Sequence, residues 1–288
     1  MGEKRHEPVM VAEVIRFLGG RGTVVDMTLG AGGHAEALLG SGVERVVGID
    51  RDPEAVELAS ERLSHFGPRF VAIRARFSEA TVEAPVDGVL YDLGVSSMQL
   101  ERPDRGFSYR HPGPLDMRMG PEGPSAMQLV NSAPEKELSR IFFEYGEERR
   151  ARKVAAAIVR ARERRPLETT DELARVVAGA VGKRRGGPHP ARRTFQALRV
   201  AVNRELEELA ASLPRAEGVL APGGRVVVIA YHSVEDRIVK RFFVGEPSLQ
   251  VLTKKPLRPS AAETTRNPRA RSARLRVAER LGCAEVAV

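Results

Sequence analysis

Asp26, Asp50 and Asp92 each close a short apolar run, and a glycine-rich string, Leu-Gly-Ala-Gly-Gly-His, follows the first of them at residues 29–34. Glycines in such a turn permit positive φ and let backbone approach a ligand closely. Asp50 stands twenty residues beyond Gly30. A carboxylate at the tip of a second strand can accept hydrogen bonds from both ribose hydroxyls of an adenosine cofactor. A glycine turn alone is equally a tight turn, but joined to that acid it narrows the ligand to a nucleoside-bearing cofactor. Dinucleotide sites favour a further glycine inside the helix, and the position three beyond Gly32 is Ala35. Asp26 would repel a pyrophosphate yet suits a ligand carrying an ammonium and a sulfonium. S-adenosyl-L-methionine therefore fits better than NAD.

Asp92 closes the fourth run, in the string Tyr-Asp-Leu-Gly-Val-Ser-Ser-Met-Gln-Leu at residues 91–100. Ligands of open α/β sheets bind beyond the carboxyl ends of the strands near the switch point, so Asp92 should face the reactive end of the cofactor. The lone pair of an exocyclic amine on a nucleobase is delocalised into the ring. A carboxylate and a carbonyl accepting its two N–H groups would enrich the nitrogen and aim its lone pair at a methyl carbon. The plainer reading of Asp92 is a cap on the following turn.

Other residues admit two readings each. His232 follows the fifth run and would either orient a base and relay a proton, as a catalytic partner of Asp92, or serve structure alone. Phe107 and Tyr109 lie among Arg105, Arg110 and Arg118 in an irregular stretch. They would stack a flipped base between phosphate-binding arginines, or pin a loop to a core. Asp116 and Arg118 suit an ion pair shaping that loop. Asn203, on an otherwise apolar helix, is read as satisfying a buried partner. Lys183, Arg184, Arg185, Arg192, Arg193, Lys254, Lys255, Arg266, Arg269 and Arg271 are candidate phosphate contacts or ordinary solvated charge.

The elements that must position these side chains follow a βα rhythm. Strands are predicted at Thr23–Met27, Arg45–Ile49, Phe70–Arg74 and Val86–Tyr91, with helices over His34–Leu39 and Pro53–Phe66, the latter opened by Asp52 and Pro53. Short apolar runs separated by helices argue for a parallel sheet covered on both faces. The rhythm stops after Gln99. Residues 101–124 are rich in Pro, Gly, Arg and Asp, and helices are expected over Glu147–Arg164 and Thr194–Leu213, with a basic hinge at residues 183–193. A strand returns over Gly224–Tyr231. The expected architecture is an α/β, Rossmann-like sheet domain, residues 1–103 and 213–288, interrupted by a smaller helical domain at 104–212 that would recognise the substrate.

Net charge is +8, unevenly spread: residues 1–103 hold 11 basic and 16 acidic side chains, residues 104–212 hold 21 and 15, and residues 237–288 hold 12 and 4. A basic excess in the middle and at the end suits a polyanionic partner. One cysteine, Cys283, excludes an internal disulfide, and no Cys/His spacing suggests a metal. No apolar run reaches the ~18–20 residues of a membrane span, and the polar start is unlike a signal peptide. A cytoplasmic protein is expected.

Five strings carry a family resemblance: Asp-Met-Thr-Leu-Gly-Ala-Gly-Gly-His (26–34), Asp-Leu-Gly-Val-Ser-Ser-Met-Gln-Leu (92–100), Arg-Gly-Phe-Ser-Tyr-Arg-His-Pro-Gly-Pro-Leu-Asp-Met-Arg-Met (105–119), Arg-Thr-Phe-Gln-Ala-Leu-Arg-Val-Ala-Val-Asn-Arg-Glu-Leu (193–206) and Ala-Tyr-His-Ser-Val-Glu-Asp-Arg (230–237). In this order they resemble the bacterial 16S ribosomal RNA (cytosine-N(4))-methyltransferase family, the small-subunit methyltransferase H type. The resemblance implies methylation of a decoding-centre cytidine of 16S rRNA within the small ribosomal subunit, with S-adenosyl-L-methionine as donor. It also implies that Gly32, Gly33, His34, Asp50, Phe77, Asp92 and Gln99 line the cofactor pocket. Phe107, Tyr109, Arg110, Arg118 and Arg193 are the substrate candidates. Many amino-methyltransferases carry an aromatic residue just after the acid, where this chain has Leu93-Gly94-Val95, so the base must stack elsewhere. Rival readings are an NAD-dependent dehydrogenase, a non-catalytic RNA-binding factor, and a methyltransferase acting on DNA or a protein amine. A homodimer is left open.

Overall fold

Seven strands form one sheet in the order β3-β2-β1-β4-β5-β7-β6. They are β1 (Thr23–Asp26), β2 (Arg45–Asp50), β3 (Phe70–Arg74), β4 (Val86–Asp92), β5 (Leu220–Ala230), β6 (Leu249–Val251) and β7 (Arg274–Arg280). The first five are parallel, while β7 runs antiparallel to β5 and β6 antiparallel to β7. The computed structural model describes residues 8–182, 187 and 189–282. Contacts divide the chain into a sheet unit, running to Gly94 and resuming at Leu206, and a helical unit, Val95–Glu205.

In the sheet unit, alternation along each strand sends successive residues to opposite faces. Val24, Val46, Leu90 and Ile229 join one core with Leu18, Leu38 and Leu63 of three early helices, α1 (Val11–Leu18), α2 (Gly33–Gly40) and α3 (Pro53–Leu63). Val25, Val47, Tyr91 and Val228 join the other core. Both faces are buried, which is why the strands read as unbroken apolar runs. Because the chain steps outward from β1 to β2 and β3 and then crosses back to β4, the switch point lies between β1 and β4. Asp26 and Asp92 both stand at that carboxyl edge.

The helical unit contains α4 (Ser97–Glu101), α5 (Ala126–Ser132), α6 (Glu135–Glu144), α7 (Ala151–Arg162), α8 (Thr170–Val181) and α9 (Arg192–Asn203) around its own core, including Phe142, Ile158, Leu173 and Leu198. Two expected helices change shape. The one predicted from Glu147 begins at Ala151, because Glu147 turns back with φ 49° and the Glu147 and Glu148 amides cap the end of α6 through the Phe143 and Phe142 carbonyls. The one predicted over Thr194–Leu213 breaks at Arg204, which adopts φ 52°. Beyond the break lies α10 (Glu205–Val219), followed by α11 (Ser233–Gly245) and α12 (Ala261–Arg266). Leu209 and Leu213 of α10, with Val239 and Phe243 of α11, cover the second face of the sheet. Asn203 is satisfied in full burial: its Oδ1 accepts from the Met119 amide at 2.9 Å, and its Nδ2 donates to the carbonyls of Met117 at 2.7 Å and Arg199 at 2.9 Å.

Candidate active site

A connected polar cluster occupies the carboxyl edge of the sheet. Asp26 is buried at the end of β1, and its Oδ1 accepts from the Thr28 amide at 3.1 Å and hydroxyl at 3.4 Å. The Thr28 hydroxyl oxygen in turn accepts from the Asp92 amide at 2.6 Å, tying the end of β4 to the turn after β1. One oxygen of the Asp92 carboxylate accepts from the Tyr231 hydroxyl at 2.7 Å. Its other oxygen lies 3.3 Å from Nε2 of His34, a buried residue of α2, while the Asp92 side chain keeps 23% exposure. Burial pushes the Asp26 carboxyl up to about 6, against the opposing pull of His34. Burial pulls the His34 imidazole down, but the adjacent Asp92 carboxylate and the charge of Asp26 prevail, and the net direction is up.

The glycine turn follows local sterics. Gly32 sits at φ 78°, and a Cβ there would meet Leu63 at 3.0 Å and Ala59 at 3.2 Å on α3; a Cβ on Gly33 would meet Pro8 at 2.5 Å. These two glycines are therefore required by protein packing, a reason the sequence did not reveal. Gly30 sits at φ 51°, and a Cβ there would meet only the Thr28 carbonyl, at 3.9 Å. Asp50 accepts from the Gly30 amide through one oxygen and from the Asp52 amide through the other, both at 2.9 Å. Burial outweighs these bonds and moves its carboxyl up. Phe77 meets Tyr91 edge-on at 5.7 Å between ring centres, in the sheet core.

His232 is engaged by structure. It is the N-cap of α11: its Nδ1 accepts from the Glu235 amide at 3.4 Å, and its Nε2 lies 3.0 Å from Glu235 Oε1. Glu235, itself buried, completes the capping box by accepting from the amides of Tyr231 at 2.8 Å and His232 at 3.2 Å. Its neighbour Tyr231 is the side chain on Asp92. Composition and spacing singled out the histidine of this string and passed over the tyrosine; the only available signal was that Tyr231 directly follows β5.

The sequence matches the MraW methylase family over residues 3–281. The chain belongs to that family. A ribosomal RNA small subunit methyltransferase H from Carboxydothermus hydrogenoformans is 48% identical over 310 residues, covering 98% of this chain and 100% of that protein. Another of the same name, from Methylobacterium sp. (strain 4-46), is 50% identical over 306 residues, covering 96% and 90%. Among solved structures, an rRNA methylase from Streptococcus thermophilus is similar with a TM-score of 0.44 and 12% identity over 94% of each chain. The seven-stranded sheet of this methylase is the Rossmann-like, class I methyltransferase sheet expected from its sequence, and its methyl donor is S-adenosyl-L-methionine.

The site fits that donor on its own chemistry. Asp26 Oδ2 and His34 Nδ1 are buried with no hydrogen-bond partner, and orphaned buried polar atoms of this kind call for a ligand or water. A carboxylate oxygen suits an ammonium or sulfonium, and each oxygen of Asp50 retains acceptor capacity for a ribose hydroxyl. Among the described residues, no group of His, Cys, Asp and Glu could hold a metal ion, and no helix is long and apolar enough to cross a membrane.

Gln99 and the substrate candidates lie in the helical unit, while Lys254, Lys255, Arg266, Arg269 and Arg271 belong to the sheet unit. Gln99 is buried in α4, where its Oε1 accepts from the Ser96 amide and its own amide donates to the Ser96 hydroxyl. Phe107 is buried in the helical core beneath Arg105. Of its two readings, burial favours the one in which it pins the loop to a core. Tyr109 is half-buried, stacked on His189 at 4.7 Å and edge-on to Phe195 at 5.6 Å, with the exposed Arg110 guanidinium 6.0 Å from its ring. Arg118 grips Asp116 at 2.8 and 2.7 Å, the ion pair expected from the sequence. The exposed Arg193 donates to the Glu147 carbonyl at 2.8 Å. Lys183, Arg184 and Arg185 lie outside the described residues.

Proposed function

We propose that this methylase transfers a methyl group to the exocyclic amine of a decoding-centre cytidine in 16S rRNA of the small ribosomal subunit. The observation that carries the reading is the Asp92 carboxylate: partly exposed at the carboxyl edge, held from two sides, and next to the buried, partnerless atoms of Asp26 and His34. The names of the two relatives supply the RNA class.

Asp26 and His34 would hold the methionine end of the cofactor, Asp50 the ribose, and Phe77 would stand beside the adenine; Gly32, Gly33 and Gln99 are carried from the family resemblance. When bound, S-adenosyl-L-methionine supplies an electrophilic methyl group. Asp92 accepts an N–H of the cytosine amine, enriches the nitrogen and fixes its direction. The proton lost from nitrogen leaves to solvent. His232 acts through the turn that it caps, outside the chemistry. The helical unit recognises RNA, with Arg110 and Arg193 as phosphate contacts and Tyr109 as a structural or stacking aromatic; Arg118 acts by shaping its loop through Asp116.

The test is incubation with labelled cofactor and unmodified small ribosomal subunits, followed by mapping of the labelled nucleotide by mass spectrometry. Label on the amine of one small-subunit cytidine, strongly reduced but measurable in Asp92→Asn while calorimetry still detects cofactor binding, is the expected result. Label in DNA or protein, with RNA unlabelled, would replace the substrate.

A further inference from the structure

We propose that Tyr231 is a positioning residue for methyl transfer: its hydroxyl sets the Asp92 carboxylate in the orientation that meets the substrate amine. The inference rests on the reading of Asp92 above and adds a residue that acts through it.

A terminal carboxylate torsion is broad and roughly two-fold, so sterics alone do not fix an aspartate's oxygens. Here two contacts do, and a third holds the backbone. The Thr28 hydroxyl accepts from the Asp92 amide at 2.6 Å, fixing the backbone. His34 Nε2 stands 3.3 Å from one carboxylate oxygen and the Tyr231 hydroxyl 2.7 Å from the other. A bond from O–H to a carboxylate at that length is charge-assisted and of the stronger kind. Each oxygen still has acceptor capacity beyond its one contact, so an amine N–H can be received without displacing either holder.

Tyr231 is itself held in place. Its amide donates to Glu235 Oε2 at 2.8 Å, and the same carboxylate takes the next amide, which fixes the turn between β5 and α11. The ring packs against the core that covers the α1, α2 and α3 face of the sheet. The phenol stays a donor throughout the neutral range, because burial and the neighbouring Asp92 charge push its ionisation well up. The charged groups bearing on this cluster are Asp26 from β1, Asp50 from β2, His34 from α2, Glu235 from α11 and Glu263 from α12. The tyrosine presents a neutral donor to Asp92, so it can aim the carboxylate without cancelling its charge.

The experiment is a double-mutant cycle on the full chain with Tyr231→Phe, Asp92→Asn and the pair, assayed with S-adenosyl-L-methionine and unmodified small ribosomal subunits. Tyr231→Phe removes one oxygen and keeps the ring. It is expected to lower kcat by on the order of 10- to 100-fold, with KM for the subunit and the calorimetric Kd for the cofactor within about threefold. In the Asp92→Asn background the same change should have no further effect, since a residue acting through Asp92 has nothing left to position. In the cofactor-free protein, the carboxyl carbon resonance of Asp92 should move on Tyr231→Phe while Tm stays within a few degrees. Unchanged kcat in Tyr231→Phe, or an equal further loss in both backgrounds, overturns the inference. Full turnover in Asp92→Asn alone would instead overturn the reading of Asp92 on which it stands.

Discussion

The least comfortable side chain in the sheet unit is Asp26, a carboxylate 1% exposed with one oxygen lacking any partner. Burial raises its carboxyl from 3.8 to about 6, so the folded chain holds that proton more tightly than the unfolded chain. The favourable contribution is complete below about pH 4 and declines as pH rises towards 6. The whole change between those limits is about 3 kcal/mol. Asp26→Asn should therefore raise the melting temperature of the cofactor-free protein at pH 7.5, with the gain vanishing near pH 4. The same substitution should weaken cofactor binding at least tenfold by calorimetry. In the unaltered protein, affinity should fall as pH drops below about 6, because a protonated Asp26 no longer attracts an ammonium. A pH-independent Kd, with no thermal gain from the asparagine, would remove Asp26 from the cofactor site. At this scale the acids of the site were legible in the sequence, because each ends an apolar run. Tyr231 was not, since a tyrosine after a strand carries no spacing signal and its partner is 139 positions away.

Elements were legible in proportion to how cleanly burial shows in residue type. Strands β1 to β4 emerge from the sequence within a residue or two because both faces are apolar. Strand β7, Arg-Leu-Arg-Val-Ala-Glu-Arg, hides behind its charges: Arg276 is buried on it only because Asp236 of α11 grips its guanidinium at 2.6 and 3.2 Å. The stripe from Leu198 to Leu209 reads as one helix, yet its first part packs in the helical core and its last part against the sheet. A helical period cannot show which core a residue joins. Within the helical unit, Asn203 closes the end of α9 onto the Met117–Met119 turn. Asn203→Leu keeps the bulk and leaves the buried Met119 amide and Met117 carbonyl without their partner, at ~1–3 kcal/mol for each group. Urea unfolding followed by far-ultraviolet circular dichroism should show a loss of about 2–4 kcal/mol. A loss below about 0.5 kcal/mol would show that water satisfies both groups.

Over the whole molecule, charge separates with the units. Residues 95–205 hold 22 basic and 14 acidic side chains, a net +8, and the rest hold 24 of each, a net of zero. The net excess thus belongs to the helical unit, the basic end of the chain being balanced by the acid-rich residues 1–94. Arg110→Ala and Arg193→Ala should each reduce the slope of log affinity for small-subunit RNA against log salt by about 1. Lys240→Ala, on α11 of the sheet unit, should leave it unchanged, and an equal effect there would spread the contact over both units. The sheet unit is built from two stretches of chain, and β5, the neighbour of β4, is separated from it in sequence by the whole helical unit. A ribosome adding about 5–20 residues per second needs on the order of ten seconds to cross those roughly 110 residues. For that interval a newborn chain carries β1 to β4 with the hydrogen-bonding edge of β4 bare, the kind of edge that recruits strands from other chains. The helical unit, continuous in sequence, can form first, so an enzyme interrupted in synthesis would own its inserted unit before its sheet was complete.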